Sequence, residues 1–561
     1  MTPRVWINNI NFNDGSKIEI EKDEILVFVG PNNVGKSVTL ADLSNKILRK
    51  SHNAKTILSI ELSKNVNVDE LIDYLYKSST ISDADKNKQL IRSYKLNQHE
   101  MTLRHQWNNS EEGLESFAGY FSNYLTTIDR LKSVNPPQSI SLANQPPSHP
   151  IHILERDDKI ELKFSNFFNR AFGTDLVVHR NAGNLVPMHI GKRPEPDEGE
   201  DRISLNYVKK VENLPKLHEQ GDGMKSFVGV LLNSFISQYT IVLIDEPEAF
   251  LHPPQARLLG KMIGKDLPTD RQLFLATHSG DFLRGLLDSE SKKIRVVRID
   301  RNGNNNKFCE LSPDKINQIW SDPILRHSNI LDGIFHKRVV ICESDSDCRF
   351  YSAIIESLVE KQELSSPDIM FVNCGGKHRI PQIVMALKRL NVDVSVISDF
   401  DVINNIHPLR KIVENLGGNW DSFNSKWLSV KKAIDEKGPE LKTTEVKSQI
   451  SFILDNTTDR VFPKRNATAI KDVLKKSSSW SHAKHIGSSF IPPGEATTFF
   501  NQIQQNFKSI GLYIVEVGEL EGFCRSEGGH GPKWVNEVLK KDLATDPELE
   551  KAREFVLQII S

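Results

Sequence analysis

Short apolar runs that end in glycine or polar residues recur along this chain, and they predict buried strands of parallel sheets. These runs cover residues 25–29, 241–244, 272–277, 338–342, 369–372 and 392–397. Segments with apolar residues at helical spacing lie between several of them. The alternation of strand and helix predicts an α/β protein with a parallel sheet in each half of the chain.

Two polar stretches interrupt this pattern and are predicted to be helical insertions. The first, residues 65–150, ends in a proline- and serine-rich loop, and its composition suggests dimerisation or partner contact. The second, residues 404–505, carries paired basic residues and tryptophans. Solvated helices are the preferred interpretation of it, and contact with a nucleic-acid backbone is the alternative. The predicted domains are residues 1–334 and 335–561.

Composition excludes several classes of protein. The chain has 561 residues, of which 26% are charged and 38% hydrophobic, as expected for a globular protein with more than one domain. A net charge of −1 means that any nucleic-acid site must be a local patch. The five cysteines show no C-x-x-C pairing, which fits a reducing cytoplasm. Neither a signal peptide nor a membrane span of ~18 apolar residues is apparent, so a cytoplasmic protein without membrane contact is expected.

The first stretch with a specific chemistry is G-P-N-N-V-G-K-S at positions 30–37. It has the form G-x-x-x-x-G-K-S and stands between a predicted strand and a predicted helix, which is the context of a phosphate-binding loop. Glycines allow the backbone to wrap the phosphates, and the N-terminus of the helix favours negative charge. Lys36 would reach the β- and γ-phosphates, and Ser37 would hold Mg²⁺. The residues predicted to bind nucleotide here are Asn32, Asn33, Gly35, Lys36 and Ser37.

Further residues in the N-terminal half complete a nucleotide site. Asp245 ends an apolar strand and would coordinate Mg²⁺, and Glu246 would act as general base for the attacking water. His278 follows the next strand, at the edge where α/β sheets bind ligands, and is predicted to sense the γ-phosphate. Gly221 and Gly223 lie in a glycine-rich loop before a helix, which is a second candidate anion site.

In their order along the chain these motifs resemble those of ABC/SMC-type ATPase heads. The resemblance covers residues 1 to about 334 and includes the segment L-H-P at positions 251–253. It implies ATP as cofactor, and a homodimer or higher homo-oligomer in which two heads enclose the nucleotide. The loop at positions 220–226 departs from the usual L-S-G-G-Q signature of that family.

Four carboxylates follow strands of the C-terminal half. Glu343 and Asp347 come after its first predicted strand, and Asp399 and Asp401 after its third. Because parallel strands of one sheet end at the same edge, these side chains would converge. Like charges so close together are unfavourable without a cation, and oxygen ligands suit Mg²⁺ or Mn²⁺. A pair of such ions can cleave a phosphodiester bond. The alternative is an acidic rim that binds no ion.

This second pattern resembles a Toprim domain, in which E-G-x-[ST]-D after one strand is followed by D-x-D after a later one. Ser344 replaces the usual glycine, which is tolerable where φ is negative. An ATPase head followed by Toprim is the architecture of the OLD (overcoming lysogenisation defect) nucleases. In that family a glutamate after the final strand completes the metal site, and Glu521 matches best, with Glu519 as the alternative. A downstream lysine neutralises transition-state charge, and Lys533 is the candidate.

The resemblance implies an enzyme that is both an ATPase and a metal-dependent DNA endonuclease regulated by nucleotide. OLD relatives commonly serve anti-phage defence, with a partner such as a helicase or a retron reverse transcriptase and its DNA–RNA product. One alternative is an SMC-like ATP-driven clamp on DNA with a non-catalytic Toprim platform. Another is a topoisomerase or primase. A topoisomerase is disfavoured because Tyr513, the tyrosine beyond the D-x-D motif, lies in a predicted strand.

Overall fold

The computed structural model describes residues 2–49, 54–78, 89–93, 95–141, 145–311, 329–437, 443–475 and 479–561. The chain divides into two compact units, residues 1–321 and 322–561. The 3₁₀ helix Asn329–Phe335 packs within the second unit, since a Cβ at Gly333 would lie 2.7 Å from Val339 Cγ2. This helix thus belongs to the second compact unit, and the predicted domain boundary after residue 334 stays a prediction.

The first unit is organised around a six-stranded sheet of order β13-β12-β3-β11-β10-β7. Its strands are parallel except β13, which forms a hairpin with β12. A separate antiparallel sheet has the order β2-β1-β4. The strands of this unit are β1 (Val5–Phe12), β2 (Lys17–Glu19), β3 (Ile25–Val29), β4 (Ile57–Lys64), β5 (Leu90–Ser93), β6 (Leu96–His99), β7 (Ser122–Leu125), β8 (Leu176–Val178), β9 (Met188–Ile190), β10 (Ile241–Asp245), β11 (Gln272–Ala276), β12 (Ile294–Asn302) and β13 (Asn305–Leu311).

Helices connect the strands of the first unit. They are α1 (Lys36–Ile47), α2 (Val68–Ser78), α3 (Glu100–Asn108), α4 (Ala118–Phe121), α5 (Thr127–Lys132), α6 (Pro150–Arg156), α7 (Asp158–Phe172), α8 (Leu205–Glu212), α9 (Asp222–Leu231), α10 (Pro253–Asp266) and α11 (Gly280–Leu287). β3, β10 and β11 are buried almost throughout, as their apolar runs predict. The connections between these strands place the candidate nucleotide residues at one edge of the sheet.

The region predicted as a first helical insertion, residues 65–150, also contributes to the central sheet. Within it, β7 pairs in parallel with β10 and forms an edge of the sheet. The hairpin of β5 and β6 lies in the same region. β7 reads Ser-Asn-Tyr-Leu, and only Leu125 is fully buried, so neither an apolar run nor an alternation marks the strand. The predicted helical insertion thus contains α2 to α5 together with β5, β6 and β7, and the pairing of β7 with the central sheet was not predicted.

The second unit contains a four-stranded sheet of order β15-β14-β16-β17, in which all pairs are parallel. The strands are β14 (Arg338–Cys342), β15 (Ile369–Asn373), β16 (Asp393–Ser398) and β17 (Leu512–Ile514). The helices are α12 (Asp345–Glu360), α13 (Ile380–Arg389), α14 (Ile406–Leu416), α15 (Asn424–Glu436), α16 (Thr443–Asp455), α17 (Lys464–Lys475), α18 (Ser479–Ile486), α19 (Glu495–Ser509), α20 (Pro532–Val538) and α21 (Glu550–Ile560). None of the helices described for either unit is long and apolar enough to span a membrane.

The second predicted insertion, residues 404–505, is helical in the structure and separates β16 from β17 along the chain. Its tryptophans are packed inside. Trp420 and Trp427 are buried, and the Trp480 indole donates to Asp435 Oδ1 at 2.6 Å. These side chains therefore stabilise the insertion, and they are not available as a stacking surface for bases.

The helices α10 and α11 pack so closely that a methyl group added between them should destabilise the first unit. A Cβ at Gly285 would lie 1.9 Å from the carbonyl oxygen of Arg257. We expect Gly285→Ala to lower the free energy of unfolding by about 1–3 kcal/mol, because the two helices must move apart. Chemical denaturation would measure this. Gly119→Ala is the matched control, since its nearest neighbours would be 3.7 Å away. Equal denaturation midpoints for Gly285→Ala and wild type would contradict this packing.

Candidate functional site

A phosphate-binding loop connects β3 to α1. Gly30, Asn33 and Gly35 adopt left-handed backbone, with φ of 140°, 62° and 100°. The Lys36 ammonium donates to the carbonyl oxygens of Gly30 and Pro31, both at 2.8 Å. The ammonium group therefore lies within the curve of the loop, which is the arrangement that phosphate binding requires.

The β12–β13 hairpin supports this loop from outside. The Asn306 side-chain amide donates to the carbonyl of Val34, and the Arg301 guanidinium donates to the carbonyl of Asn33 at 3.3 Å. Asn32 and Asn33 themselves are exposed. The hairpin thus fixes the backbone of the loop and leaves both asparagines accessible to a ligand.

Ser37 and Asp245, the predicted Mg²⁺ ligands of the nucleotide site, lie together. Ser37 Oγ donates to Asp245 Oδ1 at 3.0 Å. The contact is possible because β3 and β10 flank β11 in the sheet and end at the same edge. Burial raises the pKa of Asp245, and the charge of Glu246 also raises it. A cation bound here would favour the ionised carboxylate.

The predicted base and the predicted phosphate sensor also meet. His278 Nδ1 lies 3.3 Å from Glu246 Oε1. Glu246 has a φ of 49°, a left-handed conformation that costs of order 1–3 kcal/mol for a residue with a side chain. Both side chains are about half exposed, at 42% for Glu246 and 49% for His278, so a ligand could reach them.

Two residues near this edge were not predicted from the sequence. Glu248 is buried and accepts hydrogen bonds from Thr277 Oγ1 at 2.7 Å and from the His278 amide at 3.1 Å, which holds the start of the histidine loop. Burial raises the pKa of Glu248. Arg130 on α5 is buried too, and its guanidinium donates to the carbonyl of Asp245. Burial lowers the pKa of Arg130, while the nearby carboxylates of Glu248 and Asp245 oppose that shift.

Gly221 and Gly223 lie at the start of α9. A Cβ at Gly223 would be 2.9 Å from the carbonyl oxygen of Phe250, whereas one at Gly221 would meet nothing within 4 Å. The predicted contact of the two glycines with ATP across a second subunit stays a prediction.

In the second unit, Glu343 connects the ends of β14 and β16. Its Oε1 accepts hydrogen bonds from Ser398 Oγ at 2.5 Å and from the Asp399 amide at 3.2 Å. Burial raises the pKa of Glu343, and the charge of Asp401 also raises it. Burial and the charge of Glu343 raise the pKa of Asp399 to about 8. These shifts express the repulsion between carboxylates that share a partly dry site.

Glu343, Asp399 and Asp401 each offer an oxygen within 4.8 Å of the others. Asp401 Oδ2 accepts a hydrogen bond from Lys377 Nζ at 2.6 Å, while its Oδ1 is buried and has no hydrogen-bond partner among the described residues. Such an oxygen is costly unless something binds it. Three carboxylates with a free oxygen are the hard donors that Mg²⁺ and Mn²⁺ prefer, so this group fits a divalent cation.

Asp347 lies beside this group, in the first turn of α12. It forms a capping box with Ser344, whose amide and hydroxyl donate to Asp347 Oδ2 at 2.8 and 2.9 Å. Ser344 has a φ of −133°, so serine is accommodated here without strain. Burial raises the pKa of Asp347, and the charge of Glu521 also raises it. Oδ2 of Asp347 thus serves the helix cap, and its role as a metal ligand stays a prediction.

The candidate glutamates after β17 form a second group with His530, and their atoms lie within 4.8 Å of one another. Glu521 Oε1 is 2.6 Å from His530 Nδ1 and accepts a hydrogen bond from the Gly531 amide at 2.7 Å. Glu519 Oε2 is 4.0 Å from Lys484 Nζ, which is 2.9 Å from Asp399 Oδ2. Both glutamates therefore border the acidic cluster, and Lys484 lies between the two groups.

Comparison with known proteins gives matches for both units. Over 289 residues the chain is 21% identical to the Old nuclease of Escherichia phage P2, a match that covers 50% of this chain and 43% of the nuclease. It thus spans less than half the length of that relative. Over 89 residues it is 34% identical to an uncharacterized protein of Methanocaldococcus jannaschii, covering 15% of this chain and 78% of that protein. A solved SmcHead, bound to the C-winged helix domain of ScpA, is 13% identical, with 56% and 100% of the chains covered and a TM-score of 0.34.

Two family profiles match in succession. One, described as "AAA domain, putative AbiEii toxin, Type IV TA system", covers residues 25–284. The other, described as "Overcoming lysogenization defect protein-like, TOPRIM domain", covers residues 334–401. The chain therefore combines an AAA-type ATPase domain with an OLD-like Toprim domain. An ATPase domain in the first unit and a parallel-sheet Toprim domain in the second confirm the predicted α/β fold class.

In the OLD-like Toprim domain, the lysines that contact the acidic cluster differ from the one predicted. Lys533 is exposed at the start of α20, two residues after Gly531. Lys377 and Lys484 instead bind Asp401 and Asp399. Lys377 follows β15 in the run G-G-K, a position beside the strand ends that could have been noticed. Lys484 comes from the insertion, and no local signal marks it. Lys533 stays a prediction.

The contacts of Lys36 predict its contribution to nucleotide binding. We expect Lys36→Ala to weaken ATP binding by about 10- to 100-fold, the equivalent of one or two charge-assisted hydrogen bonds. Isothermal titration of the full chain with a non-hydrolysable ATP analogue and Mg²⁺ would measure the affinity. Lys22→Ala, at an exposed lysine of the same unit, is the control and should bind as wild type does. Unchanged affinity of Lys36→Ala would refute this nucleotide site.

Proposed function

We propose that this chain is an ATP-binding DNA endonuclease that requires Mg²⁺ or Mn²⁺ and is regulated by nucleotide. The observation that carries the proposal is the convergence of Glu343, Asp399 and Asp401, whose oxygens lie within 4.8 Å of one another at the edge of a parallel sheet. The match to an OLD-like Toprim domain supports it, and so does the similarity to a protein that is described as a nuclease.

At the Toprim domain, Glu343, Asp399 and Asp401 would hold one divalent ion, and Asp347, Glu519 and Glu521 would border a second. Such ions lower the pKa of bound water and stabilise the leaving oxygen of a phosphodiester. The protein's own part is to fix the ligands. Ser398 and the Asp399 amide orient Glu343, and Ser344 orients Asp347. Lys533 would offset negative charge that develops on the phosphate.

At the ATPase domain, Lys36 would bind the phosphates, and Ser37 and Asp245 would hold Mg²⁺. Glu246 would accept the proton of the attacking water, and His278 would contact the γ-phosphate while it orients Glu246. The distance of 3.3 Å between His278 Nδ1 and Glu246 Oε1 supports this pairing. Gly221 and Gly223 would contact ATP across a homodimer or a higher homo-oligomer, so that nucleotide binding changes how the heads associate.

The biological setting proposed for this activity is cytoplasmic anti-phage defence. The enzyme would act on DNA together with a partner, either a helicase or a retron reverse transcriptase with its DNA–RNA product. This part of the proposal rests on the OLD family alone. The alternative function is an ATP-driven clamp that binds DNA and does not cut it. In such a clamp the ATPase residues would have the roles described above, and the acidic residues of the Toprim domain would not be catalytic.

Cleavage of plasmid DNA separates these two functions. We expect wild-type protein with Mn²⁺ or Mg²⁺ to nick or linearise supercoiled plasmid. Glu343→Gln should lose at least about 100-fold in rate, because the negative charge of a metal ligand is gone. Gel electrophoresis over a time course would measure the rate. EDTA should abolish cleavage by the wild type.

The control for this experiment is Glu360→Gln, which removes an exposed carboxylate at the end of α12. It should cleave at the wild-type rate. If Glu343→Gln and wild type cleave equally, the catalytic centre lies elsewhere. If the wild type never cleaves DNA with either metal, with or without ATP, the clamp is favoured.

ATP hydrolysis tests the role of Glu246. We expect Glu246→Gln to slow ATP turnover by about 10²–10⁴-fold, the usual contribution of a general base, while ATP affinity stays within error of wild type. Phosphate release would measure turnover, and titration would measure affinity. Glu21→Gln, at an exposed glutamate of the same unit, should hydrolyse ATP normally. Retained turnover in Glu246→Gln would assign the base to another residue.

A further inference from the structure

We infer that Lys484 is a built-in counter-ion of the acidic cluster, which binds Asp399 and Glu519 and competes with a divalent ion for them. The inference rests on the proposed function, because it concerns the same carboxylates. It also gives a function to the helical insertion between β16 and β17. Lys484 belongs to this insertion, and by pairing with the carboxylates it raises the metal concentration that is needed to fill the site.

The contacts of Lys484 are those of an ion-pair bridge. Its Nζ lies 2.9 Å from Asp399 Oδ2 and 4.0 Å from Glu519 Oε2. Asp399 and Glu519 have only 17% and 14% of their side chains exposed, and Lys484 has 34%. Charges held in such a setting are screened less by water than surface pairs are. The bridge therefore joins the two groups of acids across the site.

The backbone that carries Lys484 is fixed against the segment that carries Glu519. A Cβ at Gly518 would lie 2.2 Å from the carbonyl oxygen of Lys484, and one at Gly487 would lie 2.0 Å from that of Glu516. The Ser488 amide donates to the same Glu516 carbonyl at 2.8 Å. The backbone of α18 is therefore packed closely against the segment after β17, and displacement of Lys484 from Asp399 requires only a movement of its side chain.

The two lysines at the cluster play different parts. Lys377 binds Asp401 through Oδ2, and Asp401 Oδ1 remains buried and unpartnered among the described residues. An ion could use that oxygen with Lys377 still in place. Lys484 instead occupies Oδ2 of Asp399, one of the carboxylates that would hold the first ion, and it also pairs with Glu519, which would border the second. Because an ammonium group and a divalent cation repel each other, an ion that takes the Asp399 oxygen held by Lys484 displaces this lysine.

Competition of this kind predicts a gain of metal affinity when the lysine is removed. The apparent dissociation constant is the intrinsic one divided by the fraction of molecules in which the carboxylates are free. We expect Lys484→Met to bind Mn²⁺ at least about tenfold more tightly than wild type, since Met keeps the length of the side chain and removes its charge. Lys484→Arg keeps the charge and should stay within about threefold of wild type.

The measurement is a titration of the full chain with Mn²⁺ in the absence of nucleotide, followed by the electron paramagnetic resonance signal of free Mn²⁺. Lys432→Met is the matched control, at an exposed lysine of the insertion that pairs with Glu436. It should bind as wild type does. Equal or weaker binding by Lys484→Met would overturn the lysine inference alone. Absence of Mn²⁺ binding in wild type and variant would overturn the metal site and the inference with it.

A second measurement uses the unaltered protein. If an ion displaces Lys484, its ammonium becomes accessible, and acetylation by a water-soluble anhydride should speed up when Mn²⁺ is added. Mass spectrometry of the peptide would follow the modification, with Lys432 as the internal reference. An unchanged or slower reaction of Lys484 in saturating Mn²⁺ would contradict displacement, whatever the variants show.

Discussion

Repulsion between carboxylates at one edge of a parallel sheet is the constraint on which the Toprim domain depends. The parallel strands bring Glu343, Asp399 and Asp401 together, and burial raises the pKa of Glu343 and of Asp399. The chain offsets part of the repulsion with cations of its own, Lys377 and Lys484. What is left is negative charge that a divalent ion can neutralise, which is why a site that is unfavourable for folding is suited to binding metal.

In the ATPase domain, too, a cation of the chain lies close to carboxylates at the edge of a sheet, and here it is an arginine. Asp245 and Glu246 lie at the carboxyl edge of its sheet, and the buried guanidinium of Arg130 contacts the backbone of Asp245 from behind. Ser37 holds the other side of that aspartate. In both domains the acids end core strands, whereas one compensating cation, Arg130 or Lys484, comes from a segment outside the core pattern. The strands thus position the acidic residues, and the peripheral segments supply positive charge beside them.

This division explains what could be predicted from the sequence. Long apolar runs and fixed motifs reveal β3, β10, β14 and β16 together with the acids that follow them, because these signals are local. Arg130 depends on β7, an edge strand with one fully buried residue. Lys484 reaches Asp399 from 85 positions away, since the two are 484 and 399 along the chain. Neither cation is marked by its neighbours in sequence, so their contacts needed the fold.

The most direct test of the central claim is the location of bound metal. A crystal of the full chain soaked in Mn²⁺ without nucleotide, measured at the manganese absorption edge, gives the position of each ion from anomalous scattering. The proposed function predicts a peak within bonding distance of oxygens from Glu343, Asp399 and Asp401, with the Lys484 ammonium moved away from Asp399. A fully loaded crystal with no peak at these carboxylates would contradict it.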